Sequence, residues 1–148
     1  MKVVIQRVSH ASVTINGSTK ASIGKGFLIL LGIGGEDGQE DIDWLVKKTV
    51  NLRVFDDENG IMNRSILDDG GDIIVVSQFT LMASTKKGNR PSFTDAAPAA
   101  LSEPLYERFV ERARQDVAHV ETGRFGAMMQ VSLVNDGPFT VWLDTDEL

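Results

Sequence analysis

Gly26-Phe27-Leu28-Ile29-Leu30-Leu31-Gly32-Ile33 is the stretch from which the fold can be read. Every position from Phe27 to Leu31 is apolar, so the run has no polar face to turn toward water. A strand of this kind is covered on both sides, whereas a half-exposed strand alternates. The run is far shorter than the roughly 18 residues that suggest a membrane span. The glycines at its ends bound it as they bound short buried strands. A central strand with apolar partners above and below it is therefore predicted over Phe27 to Ile33.

Upstream, Val3, Ile5 and Val8 mark an apolar stretch, and Ala11-Ser12-Val13-Thr14-Ile15 continues it with alternation. Asn16-Gly17 is a strong signal for a two-residue hairpin. Downstream, Ile42, Leu45, Val46 and Val50 recur at helical spacing, which predicts a helix over residues 39–51. Its acidic residues lead and its lysines trail, as the helix dipole favours. Asp56-Asp57-Glu58-Asn59-Gly60 reads as a hairpin-like turn. It lacks the alternating ligand register and later glutamate of a calcium loop.

Ile73-Ile74-Val75-Val76 is a second short buried strand. Leu105, Phe109, Val110 and Ala113 form the stripe of a second helix that begins near Pro98 or Ser102 and runs to about Asp116. Pro104 suits only the first turn of such a helix. Strands are predicted over 119–121, 127–134 and 139–144, with Asn135-Asp136-Gly137-Pro138 as the turn joining the last two. The expected fold is α/β with mixed α+β character. It has layered mixed β-sheets covered by two helices, with extra strands as another layer, in one domain over residues 1–148.

Composition narrows the function classes. The chain has 148 residues, 42% of them hydrophobic and 24% charged, with a net charge of −6. An acidic domain disfavours broad nucleic-acid binding, though a local basic patch can still grip one end of an RNA. With no cysteine, thiolate catalysis, disulfides and cysteine-based zinc sites are excluded. His10 and His119 are the two histidines, so imidazole-based activation of a nucleophile is scarce. No metal or cofactor is expected. The start of the chain meets a charge too early for a signal peptide, and no apolar run is long enough to span a membrane. A cytoplasmic protein is therefore expected.

Three segments carry polar groups in positions where chemistry could occur. Ser77-Gln78-Phe79-Thr80-Leu81 gathers hydroxyl and amide groups where a buried strand runs out. Ligands tend to sit at such points, and backbone N–H groups released there can polarise a carbonyl. The same residues also suit a strand end whose hydroxyls close a turn. Gly137-Pro138 could hold a cis bond or an ordinary trans turn. Lys86-Lys87-Gly88-Asn89-Arg90-Pro91-Ser92-Phe93 is basic and ends in an aromatic ring. It suits phosphate contact or base stacking, and equally a solvated loop.

Together these segments resemble the D-aminoacyl-tRNA deacylase family. Its two signatures, Ser-Gln-Phe-Thr-Leu and Asn-x-Gly-Pro-x-Thr, are present intact as Ser77 to Leu81 and Asn135 to Thr140. Gln6-Arg7-Val8, Arg53-Val54-Phe55, Met62-Asn63, Arg90-Pro91-Ser92-Phe93 and Phe125-Gly126-Ala127 extend the resemblance over essentially the whole chain.

The resemblance implies hydrolysis of the ester bond of D-aminoacyl-tRNA, and of glycyl-tRNA, by a homodimer with active sites at the interface. It implies that Ser77, Gln78, Phe79 and Thr80 form the catalytic segment. Gly137 and Pro138, joined by a cis bond and steadied by Arg7, would enter the partner's pocket and exclude L side chains. Phe125 and Met129 would pack around the terminal adenosine, and Lys86, Lys87 and Arg90 would meet the tRNA. Two other readings stay open. One is a hydrolase with Thr80 as a true nucleophile. The other is a non-catalytic nucleic-acid-binding module on the same fold.

Overall fold

The structure is a computed structural model that describes residues 1–147. It centres on β3 (Gly26–Gly32), which is buried on both faces as its composition predicts. Phe27, Ile29, Leu31 and the following Ile33 point to one side, while Leu28 and the half-buried Leu30 point to the other. β6 (Asp72–Ser77) runs parallel to β3 from Gly26↔Asp72 to Leu31↔Ser77 and divides its side chains in the same way. Gly26 is required by this pairing, because a Cβ there would lie 1.8 Å from the Asp72 carbonyl oxygen.

The longest element on the other flank is β1 (Lys2–Ile15). Its first half pairs antiparallel with β3, and its second half pairs with β2 (Ser18–Ile23) across the Asn16-Gly17 turn. Both turn residues have positive φ, 51° and 78°, the backbone a type I′ hairpin needs. β8 (Gln130–Asp144) covers the opposite edge of β1 from Lys2↔Asp144 to Thr14↔Gln130. β7 (Val120–Thr122) runs parallel to β6 and completes a six-stranded mixed sheet. The sheet curls into a nearly closed barrel, with Lys20 of β2 donating to the Thr122 carbonyl of β7 at 3.1 Å.

Two cores lie on the two faces. On one, α1 (Gln39–Asn51) and α3 (Ala99–Asp116) pack Ile42, Leu45, Val46, Leu105, Phe109 and Val110 against Val3, Ile5, Phe27, Ile29, Ile73 and Val75. On the other, Val8, Ala11, Val13, Ile23, Leu28, Ile74 and Val76 meet Met129, Val131 and Leu133. Each such side chain contributes about 1.5–3 kcal/mol when fully buried. Both long helices cover the same face, because each is the right-handed crossover of a parallel pair and the chain steps in one direction, from β3 to β6 to β7.

Four expectations need correction. The extra strands do not form another layer: β2 and β8 belong to the same sheet, and β4 (Phe55–Asp56) with β5 (Met62–Arg64) makes only a small hairpin. The two strands expected over 127–134 and 139–144 are a single strand, β8, whose two halves both pair with β1. Asn135 to Pro138 therefore does not reverse the chain. It is an outward bulge, where β8 advances from Thr140 to Asn135 while β1 advances only from Gln6 to Val8. A third helix, the single turn α2 (Ile66–Asp69), is capped by the Ser65 hydroxyl. Finally, α3 starts at Ala99, so Pro104 lies beyond the first turn. The carbonyl it leaves without a partner belongs to the exposed Ala100, where water can serve it.

The acidic turn is explained locally, since the Asp57 carboxylate accepts from the N–H groups of Asn59 and Ile61 at 2.9 and 3.1 Å. His119, just before β7, lies between Asp72 and Glu121, with contacts of 3.2 and 3.1 Å. Its hydrogen bond to Asp72, then that to Glu121, raises its pKa above the ordinary 6.5. A raised folded-state pKa stabilises the fold below about pH 6.5, and the contribution disappears as pH rises through the raised value. The stability difference between wild type and His119→Ala, from urea midpoints between pH 5.5 and 9, should be largest at the acid end. A difference that stays constant with pH would show that these contacts add nothing.

Candidate active site

β6 places the first signature. The Gln78 N–H still reaches the Leu31 carbonyl at 2.8 Å, extending the β6–β3 ladder by one residue. The backbone then turns into a short 3₁₀ helix over Phe79–Met82. The leading N–H groups of such a turn have no carbonyl within it. Among the described residues those of Phe79 and Thr80 find no other acceptor. They sit where β6 ends, beside a pocket of about 620 Å³.

One wall of that pocket is Ser77, Gln78, Phe79 and Thr80, and another is Phe125 to Met129. Ile33, Ala97, Ala99 and Ser102 add a third side that sequence reasoning does not single out. Gln78 donates through its Nε2 to the Thr80 hydroxyl. Neither histidine is near it: His10 faces outward on β1 opposite Val134, and His119 is held by Asp72 and Glu121. Among the described residues, no titratable side chain hydrogen-bonds Thr80.

The aromatic wall is built from behind. Tyr106, the chain's single tyrosine, donates to the Val75 carbonyl at 2.8 Å. Burial pushes its pKa up to about 12, so it stays a neutral donor. Its ring lies 5.9 Å from that of Phe125. Met129 serves both pocket and core, with its sulfur against Gly123, where a Cβ would come within 2.6 Å. At the rim, Met128 is 90% and Phe79 56% exposed. The Phe79 ring meets Phe93 edge-on at 5.1 Å, which ties the loop between Ser84 and Ser92 to the pocket. Lys86, Lys87 and Arg90 are exposed on that loop and have no carboxylate partner among the described residues.

The second signature stands apart. Arg7, Gly137 and Pro138 do not line the pocket of their own chain. The Gly137-Pro138 bond is cis, and both residues are exposed at the crest of the β8 bulge. Gly137 has φ of +139°, and a Cβ on it would crowd Phe139 N at 3.0 Å and Arg7 Nη2 at 3.1 Å. Arg7 grips the bulge from beneath. Its Nε donates to the Asp136 carbonyl at 3.0 Å, its Nη1 to the Val54 carbonyl, and its guanidinium lies 5.0 Å from the Phe139 ring centre.

Asn135 closes the bulge. It donates to the Arg7 and Phe139 carbonyls at 2.9 and 2.8 Å and accepts from Phe139 N–H at 3.1 Å. Sequence reasoning assigns Asn135 no role of its own; the signal that could have found it is its place in the second signature, two residues before Gly137.

A family model described as D-Tyr-tRNA(Tyr) deacylase matches residues 4–144. The chain belongs to this family. The D-aminoacyl-tRNA deacylase of Bacteroides thetaiotaomicron is 64% identical over 146 residues, 98% of this chain and 97% of its own. Among solved structures, the c-Myc DNA unwinding element binding protein superposes with a TM-score of 0.93 at 44% identity, covering 98% of this chain and 99% of its own. A probable eukaryotic D-amino acid tRNA deacylase superposes at 0.81, covering 96% of this chain and 97% of its own. At 17% identity that second likeness concerns the fold alone. The reaction for which the deacylase family is named is ester hydrolysis.

Asn135 gives this family member a direct test of how the bulge is held. Asn135→Ala removes three partly buried hydrogen bonds and should cost about 1–3 kcal/mol in urea unfolding. A loss under about 0.5 kcal/mol, the scale of an ordinary surface change, would mean that the bulge is held by Arg7 and the backbone alone.

Proposed function

We propose that this chain hydrolyses the ester bond of D-aminoacyl-tRNA, and of glycyl-tRNA, as a homodimer in which the Gly137-Pro138 corner of one protomer enters the pocket of its partner. The observation that carries this reading is the separation of the two signatures. One lines an open pocket, and the other forms an exposed corner outside that pocket. Half-exposed apolar side chains around that corner, Met62, Val134 and Trp142, suit burial against a second copy.

The Phe79 and Thr80 N–H groups receive the developing oxyanion when the ester carbonyl is attacked. A water is the attacking partner, positioned by Gln78 and Thr80 and by the free hydroxyl of the terminal ribose. Attack forms the new C–O bond, and the bond to the ribose oxygen then breaks, with the proton passing to that oxygen. Phe125 and Met129 hold the terminal adenosine. Lys86, Lys87 and Arg90, on the loop tied to Phe79, meet the phosphates behind it.

The carbonyls of the Gly137-Pro138 corner accept from the substrate's α-ammonium and occupy the space an L side chain needs. A D side chain points outward, so chirality is read by exclusion. A second reading, nucleic-acid binding without catalysis, draws support from the name of the 44% identical structure. The net charge of −6 and a pocket sized for a small group favour hydrolysis.

The deciding assay compares D-tyrosyl-, L-tyrosyl-, glycyl- and L-alanyl-tRNA. The D ester should be hydrolysed at least about 10²-fold faster than the L ester, a discrimination that steric rejection can supply. Glycyl-tRNA should be cleaved measurably and L-alanyl-tRNA should stay intact. Equal rates for the two enantiomers would defeat the exclusion model, and resistance of glycyl-tRNA would show positive recognition of the D side chain. Thr80→Ala should keep activity within about tenfold, below the range for a full general acid or base. Its abolition with substrate binding intact would make Thr80 the nucleophile. Arg7→Ala should lower activity about 10²-fold by displacing the corner.

A further inference from the structure

A second groove, about 610 Å³, lies at the C-terminal end of α1 and is lined by Trp44, Lys47, Lys48, Asn51, Leu52 and Arg53. Its floor is the half-buried Trp44 ring, which packs on the helix-side core. The Lys48 ammonium stands 5.7 Å above that ring. Lys47, Lys48 and Arg53 are exposed, and among the described residues none pairs with a carboxylate. Lys25 and Arg112, by contrast, are neutralised, the first by Asp69 at 3.0 Å and the second by Asp116 at 2.7 Å. The helix end accounts for little of this charge. Lys48 alone lies in the last turn, and the Lys47 carbonyl is already satisfied by Asn51 at 2.7 Å.

The position of the groove gives the cluster its meaning. Arg53 directly precedes Val54, whose carbonyl takes the Arg7 guanidinium, and Arg7 also holds Asp136 beside Gly137. The groove therefore adjoins the base of the Gly137-Pro138 corner. Resting on the proposed dimer, an acceptor end seated in one protomer's pocket leaves it beside the corner of the other protomer, and so beside this groove.

We propose that Lys47, Lys48 and Arg53 bind the phosphate backbone of a tRNA acceptor stem whose terminal adenosine lies in the partner's pocket. The two protomers then flank one RNA end. The loop of Lys86, Lys87 and Arg90 comes from the subunit that holds the ester, and the α1 groove comes from the subunit that supplies the corner. Phosphates are matched by the unneutralised cations, and the apolar Trp44 face suits the sugar edge between them.

The test uses Lys47→Glu/Lys48→Glu in the full chain with two substrates, D-tyrosyl-tRNA and the D-tyrosyl ester of adenosine, which has no stem. At about 50 mM salt, KM for the tRNA should rise at least about tenfold with kcat held, while KM for the adenosine ester should move less than about twofold. The slope of log KM against log salt should fall by about 1.4–1.8, at roughly 0.7–0.9 for each of two phosphates no longer neutralised. Hydrolysis of the adenosine ester by wild type reads the pocket alone, so failure of the pocket and failure of the groove are told apart. Equal shifts for both substrates, no shift for either, or a variant that sediments as monomer while wild type is dimeric would each overturn the proposal.

Discussion

β3 has no polar face, and the rest of the molecule is arranged around that constraint. With Phe27, Ile29 and Leu31 on one side and Leu28 on the other, water must be excluded twice. The helices can cover only one side, because both are crossovers of parallel pairs on the same face of the sheet. The other side is closed by the sheet itself, which curls until Lys20 of β2 reaches the backbone of β7. The pocket opens at the end of β6. There the ladder stops, and the Phe79 and Thr80 N–H groups are released from it.

The same architecture keeps the two signatures apart. Ser77 to Thr80 follow a strand in the middle of the sheet, while Gly137 and Pro138 rise from β8, an outer strand that pairs with β1 alone. An outer strand can carry a bulge without breaking a second ladder, so it can present a rigid corner to another molecule. Rigidity comes from side chains beneath the crest. Arg7 binds the carbonyls of Val54 and Asp136, and Asn135 binds across the base to Arg7 and Phe139. Such support is what the proposed steric filter needs, since a wall that yields cannot reject a methyl group.

In the proposed reading, the acidic chain and an RNA substrate are reconciled by two groups of unpaired cations. Its net charge of −6 repels nucleic acid at long range. Lys86, Lys87 and Arg90 stand near the pocket mouth, and Lys47, Lys48 and Arg53 stand near the corner. In the proposed reading, these two groups favour an end that brings its ester to the pocket, which suits an enzyme that must ignore most of the RNA around it.

Much of this was legible in the order of residues. The Phe27 to Leu31 run, the Asn16-Gly17 hairpin and the helix from Gln39 to Asn51 follow from periodicity and turn chemistry, which are local properties. The pocket wall from Ser77 to Thr80 was legible as a polar strand end. What stayed hidden depends on groups far apart in the chain. Asn135-Asp136-Gly137-Pro138 has the composition of a turn, and only pairing of both its flanks with β1 makes it a bulge in one strand. Tyr106 sits on α3 at a spacing that suits core, and its hydroxyl acts through the Val75 carbonyl of a different element. Ala97, Ala99 and Ser102 line the pocket only because α3 starts beside the end of β3. Sequence by itself determined most of the segments that become strands and helices and which faces must be buried, because those depend on neighbours along the chain. Tertiary structure decided which polar groups meet and which corner is left projecting, because hydrogen bonds and pockets join residues that only the closed sheet brings together.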